Sequence, residues 1–511
     1  MKQKLLCLPV VICIFTAFCE KTFAQGNTIT IPVETVVDKI RGGVLGQILG
    51  NLNGIPHENK YINEPGNVLN YVPNLPDGAW TDDDTDFEWF YIYEMQKNRE
   101  VLLSYDYIAK LWVERVNKGV WCSNRFARYL MDMGLKPPFT GYVELNPWAE
   151  FNVSGQFLCE SFGLIAPAMP QTAAKIGLNY TLVAINNEPA QTTQLFTSMI
   201  ATAFVENNIE KIIDAGAMAL DNKSIIKQII ADVKKWRNEN PLDWRKTRKL
   251  IQDKYYKENG RTRDNNGSEI NTGAIIAALL YGNGDFAETL KHAFNFGWDA
   301  DCNAATVGTI VGVTCGYRRM MTQSKRNEPL WQIVDRYKNV TRDNMPNDET
   351  ITSFADRIIE LFEMVNEKNG GSKTVENNVL VYKIKTENPS PVIFLPESDR
   401  KSTLREQLGK QIKEDLYSNL RETRARAVYL AICLDMDEAL KKENPKKWQN
   451  ACYDLSGYWK VMNNIFQKNF QGLIDFSKKF EKAGFKAPLK KYVDTEIYSD
   501  NEFWKDPKTI Y

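Results

Sequence analysis

Histidine is nearly missing from this chain of 511 residues: His57 and His292 are the only two. That scarcity argues against a zinc site built on several imidazoles. Net charge is missing as well, because 64 Lys and Arg balance 64 Asp and Glu. The basic footprint of a nucleic-acid-binding protein is therefore absent. Cysteine is sparse, nine in all and none in a CxxC pair, which excludes a dense disulfide framework. Beyond residue 24 no apolar run is long enough to cross a bilayer, which takes ~20 residues.

The N-terminus has its own pattern. Lys2 and Lys4 precede an apolar run over 5–18, and small Ala24 stands before Gln25. This order predicts a signal peptide over 1–24 and an exported chain, periplasmic or secreted. A retained N-terminal anchor is the competing reading. Lipidation at Cys19 is disfavoured by the bulky Phe18 before it.

The rest divides into a large helical part and a C-terminal region. Gly42, Gly46 and Gly50 recur every four residues within an apolar stretch. That spacing places them on one helix face. Glycine costs a helix roughly 1 kcal/mol relative to alanine, so the stripe predicts another backbone packed close against it. Gly308, Gly312 and Gly316 repeat the spacing far downstream, and the two stripes are expected to sit on neighbouring helices. Further helices are predicted over 87–96, 104–117, 125–133, 154–162, 171–176, 191–206, 209–221, 224–239, 271–281 and 286–296. A loop rich in glycine, proline and aromatics covers 139–151. The fold class expected for 28–368 is all-α. A polar, glycine-bearing linker is expected over 366–374, then a short hairpin from 379–385 and 391–395. A mostly helical region over 376–511 closes the chain, with Leu404, Leu408, Ile412 and Leu416 spaced by four. That region reads as a packing or partner-binding module.

The chemistry is concentrated in two acidic clusters. Trp80-Thr81-Asp82-Asp83-Asp84-Thr85-Asp86 has four acids in five positions. Carboxylates held together repel and raise each other's pKa. Helix capping explains one or two of them, and a divalent cation with oxygen ligands explains the whole set. Gly297-Trp298-Asp299-Ala300-Asp301-Cys302-Asn303 is the second cluster, again at the start of an apolar helix. Brought face to face, the two would form a carboxylate cage suited to Mg²⁺ or Mn²⁺.

Three motifs resemble the ADP-ribosylglycohydrolase family, also called the dinitrogenase-reductase-activating glycohydrolase family. They are Arg41 to Asn51 continuing through Gly54-Ile55-Pro56-His57-Glu58, then Trp80-Thr81-Asp82-Asp83, then Gly297 to Ala305. The likeness covers roughly 33–320. It implies an orthogonal multi-helix bundle with a binuclear Mg²⁺ or Mn²⁺ centre. Carried over by residue, Thr81, Asp82, Asp83, Asp299, Asp301 and Cys302 are the expected metal ligands, and Glu58 is an acid close to them. Four positions depart from the family pattern. Asn51 replaces an aspartate, and Asp84 lengthens the first motif and competes for a ligand position. Ala300 replaces a threonine. Cys302 stands where a threonine hydroxyl usually ligates, and a thiol suits Mg²⁺ poorly.

The implied reaction is hydrolysis of an N- or O-glycosidic bond to an ADP-ribosyl or related ribosyl group, on a small molecule or a protein. Glu58, Asp82 and Asp83 are the candidates for activating water. Trp148, in the aromatic loop, is a candidate for stacking on a base, with plain packing as its alternative. His57 is a candidate for contacting phosphate or sugar, while His292 reads as structural. No nucleic-acid partner is expected, and no membrane contact once the signal is removed. Another glycosyl or nucleoside substrate, or a ligand-binding protein without turnover, are the competing functions.

Overall fold

The computed structural model describes residues 27–80, 82–256, 266–326, 330–462 and 471–485. The segment read as a signal peptide, and Thr81, lie outside them. The described chain is mostly helical, as the resemblance implies. Its first helix, Val33–Gly54, buries its C-terminal two-thirds almost completely. The glycine spacing explains its partner. A Cβ added to Gly46 would lie 2.1 Å from the Gly308 carbonyl oxygen, and one on Gly308 would lie 2.2 Å from that of Gly46. Gly42 and Gly312 face each other in the same way. The partner helix is Ala300–Cys315. Gly50 meets Ala304, not a third glycine, and Gly316 ends the helix at φ +76°. At the cluster end of this ladder, a Cβ on Gly54 would sit 2.4 Å from Cα of Asp301. Backbone contact therefore carries Asp301 to the end of the first helix.

The helix bearing the first cluster runs Asp83–Asn98, so it starts inside the acid run and not at residue 87. Asp82 is its N-cap, its carboxylate accepting from the Asp83 amide at 2.6 Å. Trp80 ahead of it is pinned in a small sheet, where Ala79–Trp80 runs parallel to Tyr337–Lys338. Three helices were not anticipated by periodicity, among them Tyr317–Arg326. Trp244–Tyr255 is strongly basic, and Ile351–Lys368 carries a capping box at Thr350 and Ser353.

The expected linker is not one. Ile351–Lys368 passes through a tight turn, with Gly370 at φ +79°, straight into the strand Ser372–Glu376. That strand pairs antiparallel with Val379–Lys385, whose other neighbour is Thr28–Pro32. The hairpin is therefore formed by 372–376 with 379–385, and 391–395 is not a strand. Its amides instead cross the bundle: Val392 and Ile393 donate to Gln194 Oε1 at 2.6 and 2.9 Å, and Leu395 donates to Asp221 Oδ2 at 2.8 Å. The C-terminal region is helical as expected, from Lys401–Asp415 through Arg421–Cys433 and Pro445–Met462. Leu404, Ile412 and Leu416 are buried in it.

Candidate active site

Both acidic clusters open into one cavity of about 640 Å³. Glu58, Asp82, Asp83, Asp84, Asp299, Asp301 and Cys302 all line it. Glu58 arrives on the turn after Ile55–His57. Asp299 and Asp301 arrive on a strained corner, where Gly297 has φ +75° and Trp298 φ +57°. The second angle costs an L-residue of this size about 1–3 kcal/mol. Arg248, on the unanticipated basic helix, holds the corner in place. Its Nε donates to Phe296 O at 2.8 Å, its Nη2 donates to Tyr61 O at 2.8 Å, and the guanidinium lies 4.4 Å over the Trp298 ring.

Capping accounts for Asp82 alone. Asp299 precedes its helix without capping it through the side chain, and its Oδ2 accepts from Asn266 Nδ2 at 2.5 Å. Asp84 is buried, and its partners are neutral donors: Asn51 Nδ2 at 2.6 Å and the Cys302 thiol at 2.9 Å. Asn51 also donates to Asp82 at 3.3 Å. The amide in place of the family's aspartate thus bridges two acids by donating to each. Asp301 Oδ1 is buried with no hydrogen-bond partner among the described residues. An ionised oxygen in that position costs several kcal/mol unless a cation meets it.

Two groups of donor atoms lie within 4.8 Å of one another: Asp84, Asp301 and Cys302, and then Glu58, Asp299 and Asp301. Asp301 belongs to both. Asp82 and Asp83 line the same cavity outside these groups, so Asp84, the extra residue of the stretched motif, is the one that joins Asp301 and Cys302. The electrostatics follow from crowding. Burial and then neighbouring acids push Asp83, Asp84 and Asp301 well above the usual carboxylate range. Glu58 is pushed up to about 7 by burial, then by Asp299 and Asp82. Burial and the adjacent carboxylates also raise the Cys302 thiol. The donor set is rich in oxygen with one sulfur, and its orphaned oxygen fits a divalent cation.

The remaining lining is aromatic. Trp148 and Phe157 are nearly buried, while Trp80 and Trp121 are 50% and 39% exposed. Trp148 was legible as a candidate, and its Nε1 has no partner among the described residues. Trp121 and Asn266 carry no signal in the sequence that would have singled them out. His57 is not part of the lining; its ring stacks on Tyr61 and Phe294 at 5.9 and 5.0 Å. His292 packs against Trp244 and Tyr281, as a structural residue does.

Paired carboxyl groups in one cleft are the working part of most glycosidic hydrolases, and the cavity offers several. The chain belongs to the ADP-ribosylglycohydrolase family, whose model matches residues 32–367. It is a glycosidic hydrolase of that kind, with acidic groups able to bind metal. No curated protein matches it. A solved structure described as an ADP-ribosylglycohydrolase-related protein complex aligns with it at 15% identity and a TM-score of 0.37. The alignment covers 65% of this chain and 99% of that one.

Proposed function

We propose that this is an exported, metal-dependent hydrolase that cleaves an N- or O-glycosidic bond to an ADP-ribosyl or related ribosyl group. The observation that carries the reading is the shared position of Asp301 between two adjacent donor groups. A carboxylate within reach of both groups fits the binuclear Mg²⁺ or Mn²⁺ centre that the family resemblance implies. Asp84 and Cys302 would hold one ion and Asp299 the other, with Asp301 within reach of both and Glu58 beside the second. Divalent cations held there would supply Lewis acidity toward the ribose oxygens and water.

The chain's own groups then handle the proton. Asp82 is committed to the Asp83 amide and Asn51. Among the described residues Glu58 accepts at its carboxylate from Asn59, at 2.7 Å, and a carboxylate so lightly engaged is available to take up a proton. In this reading Glu58 takes the proton of water as the water oxygen bonds to the anomeric carbon. The bond from that carbon to nitrogen or oxygen breaks, and its electron pair leaves with the departing atom. The oxocarbenium character that develops lies beside the carboxylates. Trp148 and its aromatic neighbours would receive the planar part of the substrate.

A second reading keeps the chemistry but changes the substrate to a neutral glycosyl compound or nucleoside. It is favoured by the lining, which among the described residues holds no Lys, Arg or His to meet a diphosphate. Export rests on the order of charge, apolar run and small residue over 1–24. No helix among the described residues is long and apolar enough to cross a membrane.

A product assay over ADP-ribosyl-arginine, ADP-ribosyl-serine and simple nucleosides, in Mn²⁺ and in Mg²⁺, tests the proposal. Asp84→Ala and Asp301→Ala are the controls, and each is expected to lower kcat by at least a hundredfold. Full activity in both would sink the site. Turnover of nucleosides alone would select the second reading. Tight binding of ADP-ribose without hydrolysis of any ribosyl compound would make the protein a binder.

A further inference from the structure

We infer that the C-terminal region, which lies outside the family match, is a positioning element of the cavity and sets how tightly its aromatic part grips a ligand. This rests on the cavity being the ligand site, as proposed above. Two segments supply most of that aromatic lining: 119–122, which ends in Trp121 and Cys122, and 148–157. Each is held from outside by C-terminal side chains.

Tyr429, on Arg421–Cys433, is fully buried, and its hydroxyl donates to the carbonyl of Leu145. The neighbouring Asn146 passes the restraint on. Its Oδ1 accepts from the Trp148 amide at 3.1 Å, and its Nδ2 donates to Ser123 O at 3.0 Å. Ser123 in turn is bonded to Asn152 through its hydroxyl, at 3.0 Å. The Tyr429 hydroxyl thus anchors Leu145, next to Asn146, whose amide side chain reaches the Trp148 backbone and Ser123, the residue after the 119–122 segment. Arg426 holds the far end of the helix that follows Trp121. Its Nη1 donates to Gly134 O at 2.9 Å while Asp415 fixes its other edge at 2.8 Å. Arg400 adds a third clamp, its amide donating to Glu144 Oε1 at 3.0 Å and its guanidinium lying 4.9 Å over the Tyr142 ring. Cys122 explains why such support is needed. Its φ of +42° is unfavourable for a residue with a Cβ, and strained backbone persists only where its surroundings over-determine it.

None of these C-terminal residues lines the cavity or joins the two groups of possible metal donors. Their effect should therefore reach the ligand and spare the cation. The test uses the full chain with Tyr429→Phe and, separately, Arg426→Ala with Arg426→Lys as its conservative counterpart. Backbone hydrogen exchange is read for peptides covering 119–153 and, as an internal reference, 33–54 and 300–315. ADP-ribose and Mn²⁺ affinities are read by calorimetry. Tyr429→Phe and Arg426→Ala should raise exchange in 119–153 about tenfold and leave the reference helices unchanged. The Kd for ADP-ribose should rise about tenfold, that for Mn²⁺ should stay within about twofold, and Arg426→Lys should recover part of the loss. Unchanged exchange in 119–153 in both variants overturns the inference. So does an equal loss of both affinities, which marks general destabilisation. If the unaltered protein binds Mn²⁺ but not ADP-ribose, the ADP-ribosyl reading fails, and the exchange experiment alone decides the positioning role.

Discussion

Asp84 and Asp86 stand two residues apart on one helix, both buried, and they have opposite surroundings. Asp86 meets Arg342 at 2.6 Å, with both side chains fully enclosed. The same guanidinium donates to Lys118 O at 2.7 Å and lies 4.3 Å over the Phe87 ring. Farther along the helix Glu94 meets Arg115 at 2.9 Å. Asp84 faces the cavity with, among the described residues, an amide and a thiol as its donors. A buried acid given its own cation holds elements together. One left without a cation, on a cavity shared with Asp299, Asp301 and Glu58, is prepared for a partner from outside; an orphaned oxygen alone does not tell the two apart, because Asp86 Oδ2 also lacks a hydrogen-bond partner among the described residues. Sequence proximity does not separate these roles; the side chain across from each acid does.

The largest expected effect is on the compensated side. Arg342→Met leaves Asp86 buried and unpaired, which costs about 3–5 kcal/mol. Urea unfolding should show that loss with or without Mn²⁺. A loss under about 1 kcal/mol would mean that Asp86 is no more dependent on its partner than an exposed acid is. Asp301→Asn probes the other side and should behave in reverse. Without metal the variant should be at least as stable as the unaltered chain, because an amide removes charge from a crowded site. Metal at about one hundred times its Kd should stabilise the unaltered chain by ~2.7 kcal/mol and the variant by almost nothing. Equal stabilisation of both by Mn²⁺, followed by thermal unfolding, would place the cation elsewhere.

Parts of this arrangement are legible in the residues alone. Glycines every four residues in two distant helices require a close backbone approach, and that approach brings Asp301 to Gly54. Dense acids at two helix starts require either cations or unusual protonation. Other parts have no local signature. Arg248 is hidden in a run of basic residues that reads as solvated surface, yet it is 1% exposed and braces the Trp298 corner. The glycine pair at 370–371 looks like a linker because polarity alone cannot distinguish a hinge from a turn between packed elements. Tyr429 and Leu145 are 284 residues apart, and no periodicity connects them. Asn51 looks like a lost ligand in the sequence. In the structure its amide is a donor shared by Asp84 and Asp82, a role defined only by geometry.

The comparison sharpens at Cys302, where a thiol takes the place of a hard donor beside Asp84. Thiols favour softer ions than Mg²⁺. Cys302→Thr should therefore improve Mg²⁺ affinity relative to Mn²⁺ by about tenfold, or 1.4 kcal/mol. Calorimetric titration of both ions into both proteins measures the ratio. An unchanged ratio would mean that the sulfur contacts Asp84 and nothing else.

His292 supplies the smallest and most selective test, because it is a half-buried ionisable group with neither a cavity nor a bonded counter-ion among the described residues. Its Nδ1 has no partner among the described residues. Burial lowers its pKa from 6.5 to about 4, with Glu288 opposing the shift and Lys291 and Arg245 adding to it. The folded chain therefore holds the ring neutral while the unfolded chain takes up a proton first. Stability is fully present above pH 6.5 and is lost as pH falls toward 4. Between pH 7 and 6 the loss is about 0.7 kcal/mol, growing to ~2 kcal/mol by pH 5. His292→Phe keeps a ring between Trp244 and Tyr281 and removes the proton uptake. The carboxylates of the cavity titrate equally in both proteins, so they cancel in the difference. Urea midpoints measured without divalent metal should fall more steeply with acid in the unaltered chain than in the variant. Parallel curves would show that the imidazole is hydrated, and that burial without compensation is a property of the cavity acids alone.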